Sequence, residues 1–313
     1  MSQALENAQD AAASNTAGNA PLTVGVVGLG LIGGSFARAY AAAGATVLAF
    51  DPNTDVIDIA LVDTIAGTLD DNTLSTCDLI VLAAYPDACL AWLHVHAEAL
   101  ARATDLASGT GPVVIDTAGI KEHLCSEAFA LAHETGFTFC GAHPMAGTQF
   151  SGFAHARADL FVGAPMVLVP PALSDIERLD LLDRVHTLLA PCGFGSFSVT
   201  TPEVHDRVIA FTSQLAHVVS NAYVKNPTAQ EHHGFSAGSY RDLTRVAHLN
   251  PGMWTELMMD NAENLSREIS TLIDNLALVR DALDARNQMA LFDLLADGDR
   301  IKRALDDASN GSA

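Results

Sequence analysis

The chain has 313 residues, 49 % apolar and 17 % charged, enough to bury a core in one large or two smaller domains and unlike a disordered sequence. Its formal net charge of −21 comes from 16 Lys and Arg against 37 Asp and Glu; such a surface repels phosphate backbones and anionic bilayers, so neither nucleic acid nor membrane is an expected partner. No apolar run is long enough to span a bilayer, and the five cysteines include no C-x-x-C pair, which points to free thiols, no metal site and a cytoplasmic, reducing setting.

Residues 1–20 lack the basic start and apolar middle of a signal peptide and read as a flexible leader. From Leu22, "LTVGVVGLGLIGGSFARAYAAAG" gives a Val-rich strand, a glycine turn and an Ala-rich helix ending at Gly44. "TVLAFD", "DLIVLAAYP", "GPVVIDTAG" and "FTFCGAH" follow as further strands between helical patterns, which implies a parallel sheet covered on both faces. "GAPMVLVPP" and "GSFSVT" read as edge strands. After Thr200 no strand signal remains. "TTPEVHD" starts a capped helix, with Pro in its first turn. Met258, Ala262, Leu265, Ile269, Leu272, Leu276, Val279 and Leu283 then recur at alternating steps of four and three, the seam of one long helix. That seam suits a subunit interface, hence a homodimer through the helical half, and equally the core of a bundle within one chain. The tail "DDASNGSA" reads as loose. The expected fold is therefore α/β: a Rossmann-type dinucleotide-binding domain over residues 21–200, then an all-helical substrate and dimerisation domain over 201–313.

"GLGLIGG" carries Gly28, Gly30 and Gly33 at the G-x-G-x-x-G spacing. The spacing alone is weak, but here it lies between a strand and a helix, as a pyrophosphate cradle requires. Asp51 ends the second strand, where a carboxylate accepts hydrogen bonds from ribose hydroxyls and repels a 2′-phosphate; no Arg follows in "PNT". The expected cofactor is NAD rather than NADP, held by Gly28, Gly30, Leu31, Ile32, Gly33 and Asp51. The bland alternative for Asp51 is a turn cap before Pro52.

A nicotinamide needs beside it a group that handles a proton, and strand ends face the crevice where the substrate sits. Among "DTAGIK", "AHPMAG" and the turn after "VLAAYP", only His143 accepts a proton near neutrality; as a base it would give an acid limb at an apparent pKa of roughly 6 to 7. Ser213 and His217 lie four apart and share a helix face. Arg241 reads as half of a surface ion pair, whereas Arg245, flanked by Val246 and Ala247, is the better clamp for a substrate carboxylate. The side chains of His232 and His233 diverge, against a shared metal; His94 and His96 read as solvated.

"GLGLIGGSFARA", "HPMAGTQFSG", "LFVGAPMVLVP", "TPEVHD" and "GSYRDLTRVAHLNPGMWTELMMDN" together resemble the prephenate and arogenate dehydrogenases of tyrosine biosynthesis, over about Leu22 to Leu283. The resemblance implies NAD-dependent oxidative decarboxylation of prephenate to 4-hydroxyphenylpyruvate, an oxidoreductase reaction on a CH–CH group. It implies that His143 accepts the hydroxyl proton, that Arg245 binds a substrate carboxylate, and that Ser213 and His217 line the pocket. Two departures stand out. Gly119 replaces a serine that many relatives carry in "DTAGIK", and Gln149 stands where several have an acidic residue. A neutral amide at 149 suits the keto side chain of prephenate better than the ammonium of arogenate. The competing readings are an arogenate-using or dual-specificity cyclohexadienyl dehydrogenase, an NAD-sensing binding protein, and a 3-hydroxyacid dehydrogenase using a helical-domain lysine, for which Lys225 before Asn-Pro is poorly sited.

Overall fold

A computed structural model describes residues 21–104, 110–148, 150–231, 234–235 and 237–310. The leader 1–20, Gln149, His232 and His233 lie outside the described residues. The chain divides into two compact units, one up to Asp206 and one from Arg207.

The first unit is an eight-stranded sheet in the order β3-β2-β1-β4-β5-β6-β7-β8. Its strands are β1 (Thr23–Val27), β2 (Thr46–Phe50), β3 (Gly67–Thr68), β4 (Leu79–Leu82), β5 (Val113–Asp116), β6 (Thr138–Pro144), β7 (Pro165–Val169) and β8 (Ser196–Val199). β3 was not legible in the sequence: two residues carry no alternation. All pairings are parallel except β6 with β7, where His143 stands opposite Val167. β8 is an edge, as expected, but β7 is flanked on both sides.

Near-continuous apolar strands are buried on both faces, and their alternation sorts the core into two layers. Val24, Val26, Val81 and Ile115 pack with Phe36 and Tyr40 of α1 (Leu31–Ala42) and with Val185 and Leu189 of α5 (Asp175–Leu189). Val27, Ile80, Leu82 and Val114 face the other way, onto Leu93 and Leu100 of α3 (Pro86–Ala103) and Leu124 and Ala128 of α4 (Glu122–Thr135). A short α2 (Thr54–Ala60) completes the crossover after β2. All five cysteines are free and buried.

The second unit is helical among its described residues. Helix α6 (Pro202–Ile209), whose residues up to Asp206 belong to the first unit, continues through a π-helical turn (Ala210–Leu215) into α7 (Ala216–Tyr223); then come α8 (Gly238–Thr244), α9 (Pro251–Met259), α10 (Ala262–Asp284) and α11 (Gln288–Asn310). The long periodic seam is therefore interrupted: Met258 belongs to α9 and the rest to α10. Asn261 breaks the run because its buried amide donates to the Gln214 Oε1 at 2.8 Å and its backbone leaves the helical region at φ −119°. Leu265 is buried, but Leu276 and Leu283 are exposed. The tail expected to be loose is helical through Asn310, with Lys302 and Asp306 paired one turn apart. No helix among the described residues is long and apolar enough to cross a membrane.

Candidate active site

The glycine turn has the geometry its spacing calls for. Gly28 sits at φ +89°, and a Cβ there would meet the Ala83 carbonyl oxygen at 2.7 Å. At Gly33 a Cβ would stand 1.9 Å from the Gly28 carbonyl oxygen, so α1 packs on the turn only because that side chain is missing. Gly30 differs: a Cβ there would meet nothing within 4 Å. Open space at the second glycine is what a pyrophosphate needs in order to approach the backbone. The helical ladder at this end starts with Gly34 N–H donating to the Gly30 carbonyl at 3.0 Å. The amides of Leu31, Ile32 and Gly33 precede it, at the positive end of the helix dipole.

Asp51 follows β2 directly. One oxygen accepts from the Leu29 amide at 2.7 Å and the other from the Asn53 amide at 2.9 Å. The turn-capping and nucleotide readings are thus compatible, since a carboxylate with one amide on each oxygen keeps lone pairs for two hydroxyls.

His143 stands at the carboxyl end of β6 and is half-buried. Burial pushes its imidazole well below the usual histidine value; the Lys121 ammonium and then His205 push in the same direction. Its Nδ1 lies 2.9 Å from Nε2 of His205, whose Nδ1 lies 2.6 Å from Oδ1 of Asp206. Asp206 also accepts the Lys121 amide on Oδ1 and the Glu122 amide on Oδ2, each at 2.8 Å, at the start of α4. Behind this chain Lys121 and Asp116 form a fully buried ion pair. Asp116 accepts the Ala142 amide at 3.1 Å and the Ala118 amide at 2.8 Å, joining the ends of β5 and β6 beside His143.

Neither Lys121 nor the His205–Asp206 pair was singled out from sequence. The signals were there: Lys121 is the only lysine before Lys225, in an apolar stretch at a strand end. A histidine adjoining an aspartate in the second turn of a Pro-started helix can bond its neighbour's carboxylate.

In the second unit, Ser213 lies in the π-helical turn and not in a regular helix, so the four-residue spacing to His217 does not give one α-helical face. The turn is held by the buried Gln214, whose amide donates to the Leu257 carbonyl at 2.7 Å and accepts from Asn261. His217 donates from Nδ1 to the Val246 carbonyl at 3.0 Å and packs against Trp254 at 4.1 Å between ring centroids, which leaves Nε2 available. Arg245 is exposed at the end of α8. Arg241 forms no ion pair among the described residues, contrary to expectation. In the first unit His94 is exposed, as expected, whereas His96 is half-buried, paired with Asp71 at 2.6 Å and packed on Trp92 one turn away.

A mostly parallel sheet whose first turn fits a dinucleotide, with a histidine at the end of a later strand and a helical second unit, defines a Rossmann-type oxidoreductase. Residues 36–193 match the family model described as prephenate dehydrogenase, nucleotide-binding domain, and residues 201–297 match prephenate dehydrogenase, dimerization domain. The chain belongs to the prephenate dehydrogenase family.

Among its relatives, a cyclohexadienyl dehydrogenase of Zymomonas mobilis subsp. mobilis is 27 % identical, the match covering 90 % of this chain and 95 % of the relative. The crystal structure of Synechocystis arogenate dehydrogenase is similar at a TM-score of 0.70 and 27 % identity, covering 90 % of this chain and 100 % of that one. A prephenate dehydrogenase from A. aeolicus in complex with hydroxyphenyl propionate and NAD+ is similar at 0.73 and 25 %, covering 92 % and 99 %.

Proposed function

We propose that the protein catalyses NAD-dependent oxidative decarboxylation of prephenate to 4-hydroxyphenylpyruvate, in which bound NAD+ supplies the hydride acceptor. The glycine turn, the leading amides of α1 and Asp51 would hold the dinucleotide. A carboxylate at Asp51 that keeps lone pairs for ribose hydroxyls, with no Arg in the residues after it, favours NAD over NADP.

The observation that carries the reading is His143. A group kept neutral by burial at the carboxyl end of a strand is suited to accept the proton of the substrate hydroxyl. As that oxygen becomes a carbonyl, hydride leaves the same carbon and the ring carboxylate departs as CO₂; the ring becomes aromatic, and His143 can return the proton to the phenolic oxygen. Arg245 would bind a carboxylate of the dianion, since its guanidinium has no carboxylate partner among the described residues. His217 and Ser213 would line the pocket, His217 through Nε2. The dimerization-domain match, with Leu276, Leu283, Met289, Phe292 and Leu305 exposed on α10 and α11, supports a homodimer through the helical unit.

A second reading is favoured by the names of the relatives, which include an arogenate and a cyclohexadienyl dehydrogenase. The uncharged Gln149 argues for prephenate. Following NADH formation with each substrate tests this: prephenate is expected to exceed arogenate in kcat/KM by about tenfold or more. Equal or reversed preference would make the protein a dual-specificity or arogenate enzyme.

A further inference from the structure

Building on the reading of His143 as proton acceptor, we infer that His205 and Asp206 are positioning residues that hold His143 in the tautomer with hydrogen on Nδ1, leaving the Nε2 lone pair for the substrate hydroxyl.

With His205 uncharged, donors and acceptors along the chain permit one pattern. Asp206 accepts two backbone amides, from Lys121 and Glu122, one on each oxygen. A carboxylate only accepts, so the 2.6 Å contact makes His205 Nδ1 a donor. Neutral His205 then carries a lone pair on Nε2. The 2.9 Å contact with His143 needs one hydrogen, and only His143 Nδ1 can supply it. The proton state of the reacting ring is thus fixed from two amides at the start of α4, through two side chains that are 1 % exposed.

The surroundings support this orientation. Lys121 and Asp116 face His143 from the end of β5 and the loop after it, and neutralise each other as a buried pair. His205 and Asp206 face it from α6. When His143 takes up a proton, the positive ring gains a hydrogen-bonded path to the Asp206 carboxylate; before that, burial keeps it neutral. A third group that sets a tautomer and then stabilises the imidazolium is a recurring device where histidine is a base.

The test uses the full-length protein with NAD+ and prephenate. In Asp206→Asn, the amide oxygen can keep one backbone amide while its NH₂ turns to His205 Nδ1. That reverses both imidazoles and puts the hydrogen of His143 on Nε2. The expected result is a fall in kcat of about a hundredfold or more, with KM for prephenate and Kd for NAD+ each within about threefold. His205→Gln offers an oxygen near the Nε2 position, and should recover about tenfold or more of the kcat lost in His205→Leu. A turnover-independent readout is the ¹⁵N spectrum of histidine-labelled wild-type protein at about pH 8, where His143 is neutral. Its Nδ1 should appear as the protonated nitrogen, with the resonance identified by its loss in His143→Asn. Protonation on Nε2 in the wild type, or Asp206→Asn within about threefold of wild-type kcat, would overturn the inference. Should Asp206→Asn fail to fold, the wild-type spectrum decides. If His143→Asn itself keeps its turnover, the base reading fails while the tautomer result still stands or falls on the spectrum.

Discussion

Lys121 and Asp116 form an ion pair from which solvent is excluded on both sides. Removing one partner of such a pair leaves a bare buried charge. Lys121→Met is therefore expected to lower unfolding stability by about 3–5 kcal/mol. Adding Asp116→Asn should recover part of that loss, because the amide can still accept one of the two backbone amides while carrying no charge. Urea denaturation of the three proteins checks this; equal stability of Lys121→Met and wild type would mean that the pair is not closed to water in solution.

Two glycines three residues apart should behave oppositely. Gly33→Ala places a methyl on the Gly28 carbonyl and should sharply destabilise the first unit. Gly30→Ala meets no atom within 4 Å and its backbone already has a negative φ of −75°, so its stability should stay within about 1 kcal/mol of wild type. The space it fills is the path proposed for the pyrophosphate, and Kd for NAD+ should rise about tenfold or more. Thermal melts and nucleotide titration of the two variants are the measurements; unchanged NAD+ affinity in Gly30→Ala would remove the cofactor from this turn.

The pH dependence follows from His143. Burial, Lys121 and His205 all lower its proton affinity, so the acid limb of kcat/KM, which reports the free enzyme, should lie below the ordinary histidine value of about 6.5. The range of roughly 6 to 7 expected from sequence was for kcat and took no account of burial, which the sequence does not show. Bound dianion pulls the other way, so the limb of kcat should lie above that of kcat/KM. A kcat/KM limb at or above the ordinary value would contradict the depressed proton affinity.

The same shift bears on stability. Below about pH 6.5 the unfolded chain protonates this ring while the folded chain does not. The unfolded state then binds more protons, and stability rises with pH through the window between the two values. Replacing His143 by Asn should flatten that part of the curve of Tm against pH. An identical slope in the variant would assign the acid sensitivity to other groups.

Much of the first unit was legible because its signals are local. A Val-rich strand, a glycine turn and an Ala-rich helix each announce themselves within a dozen residues, and Asp51 and His143 stand at strand ends that this pattern locates. What stayed hidden depends on contacts remote in sequence. Asp206 meets Lys121 across 85 residues, and nothing in "TPEVHD" says which loop its carboxylate will cap. The π-helical turn at Ser213 is set by Gln214 reaching Leu257 and Asn261, so a 3.6-residue wheel misplaces that serine. The turn from α10 to α11 is made by Arg286 at φ +49°, with Asn287 N–H donating to the Ala282 carbonyl; without a glycine there, no breaker marks it.

The most direct test is steady-state turnover of His143→Asn with saturating NAD+ and prephenate, beside wild type. A ring that accepts the hydroxyl proton predicts a fall in kcat of about 10²–10⁴-fold with NAD+ affinity preserved. A variant that still oxidises prephenate within about threefold of the wild-type rate would contradict it.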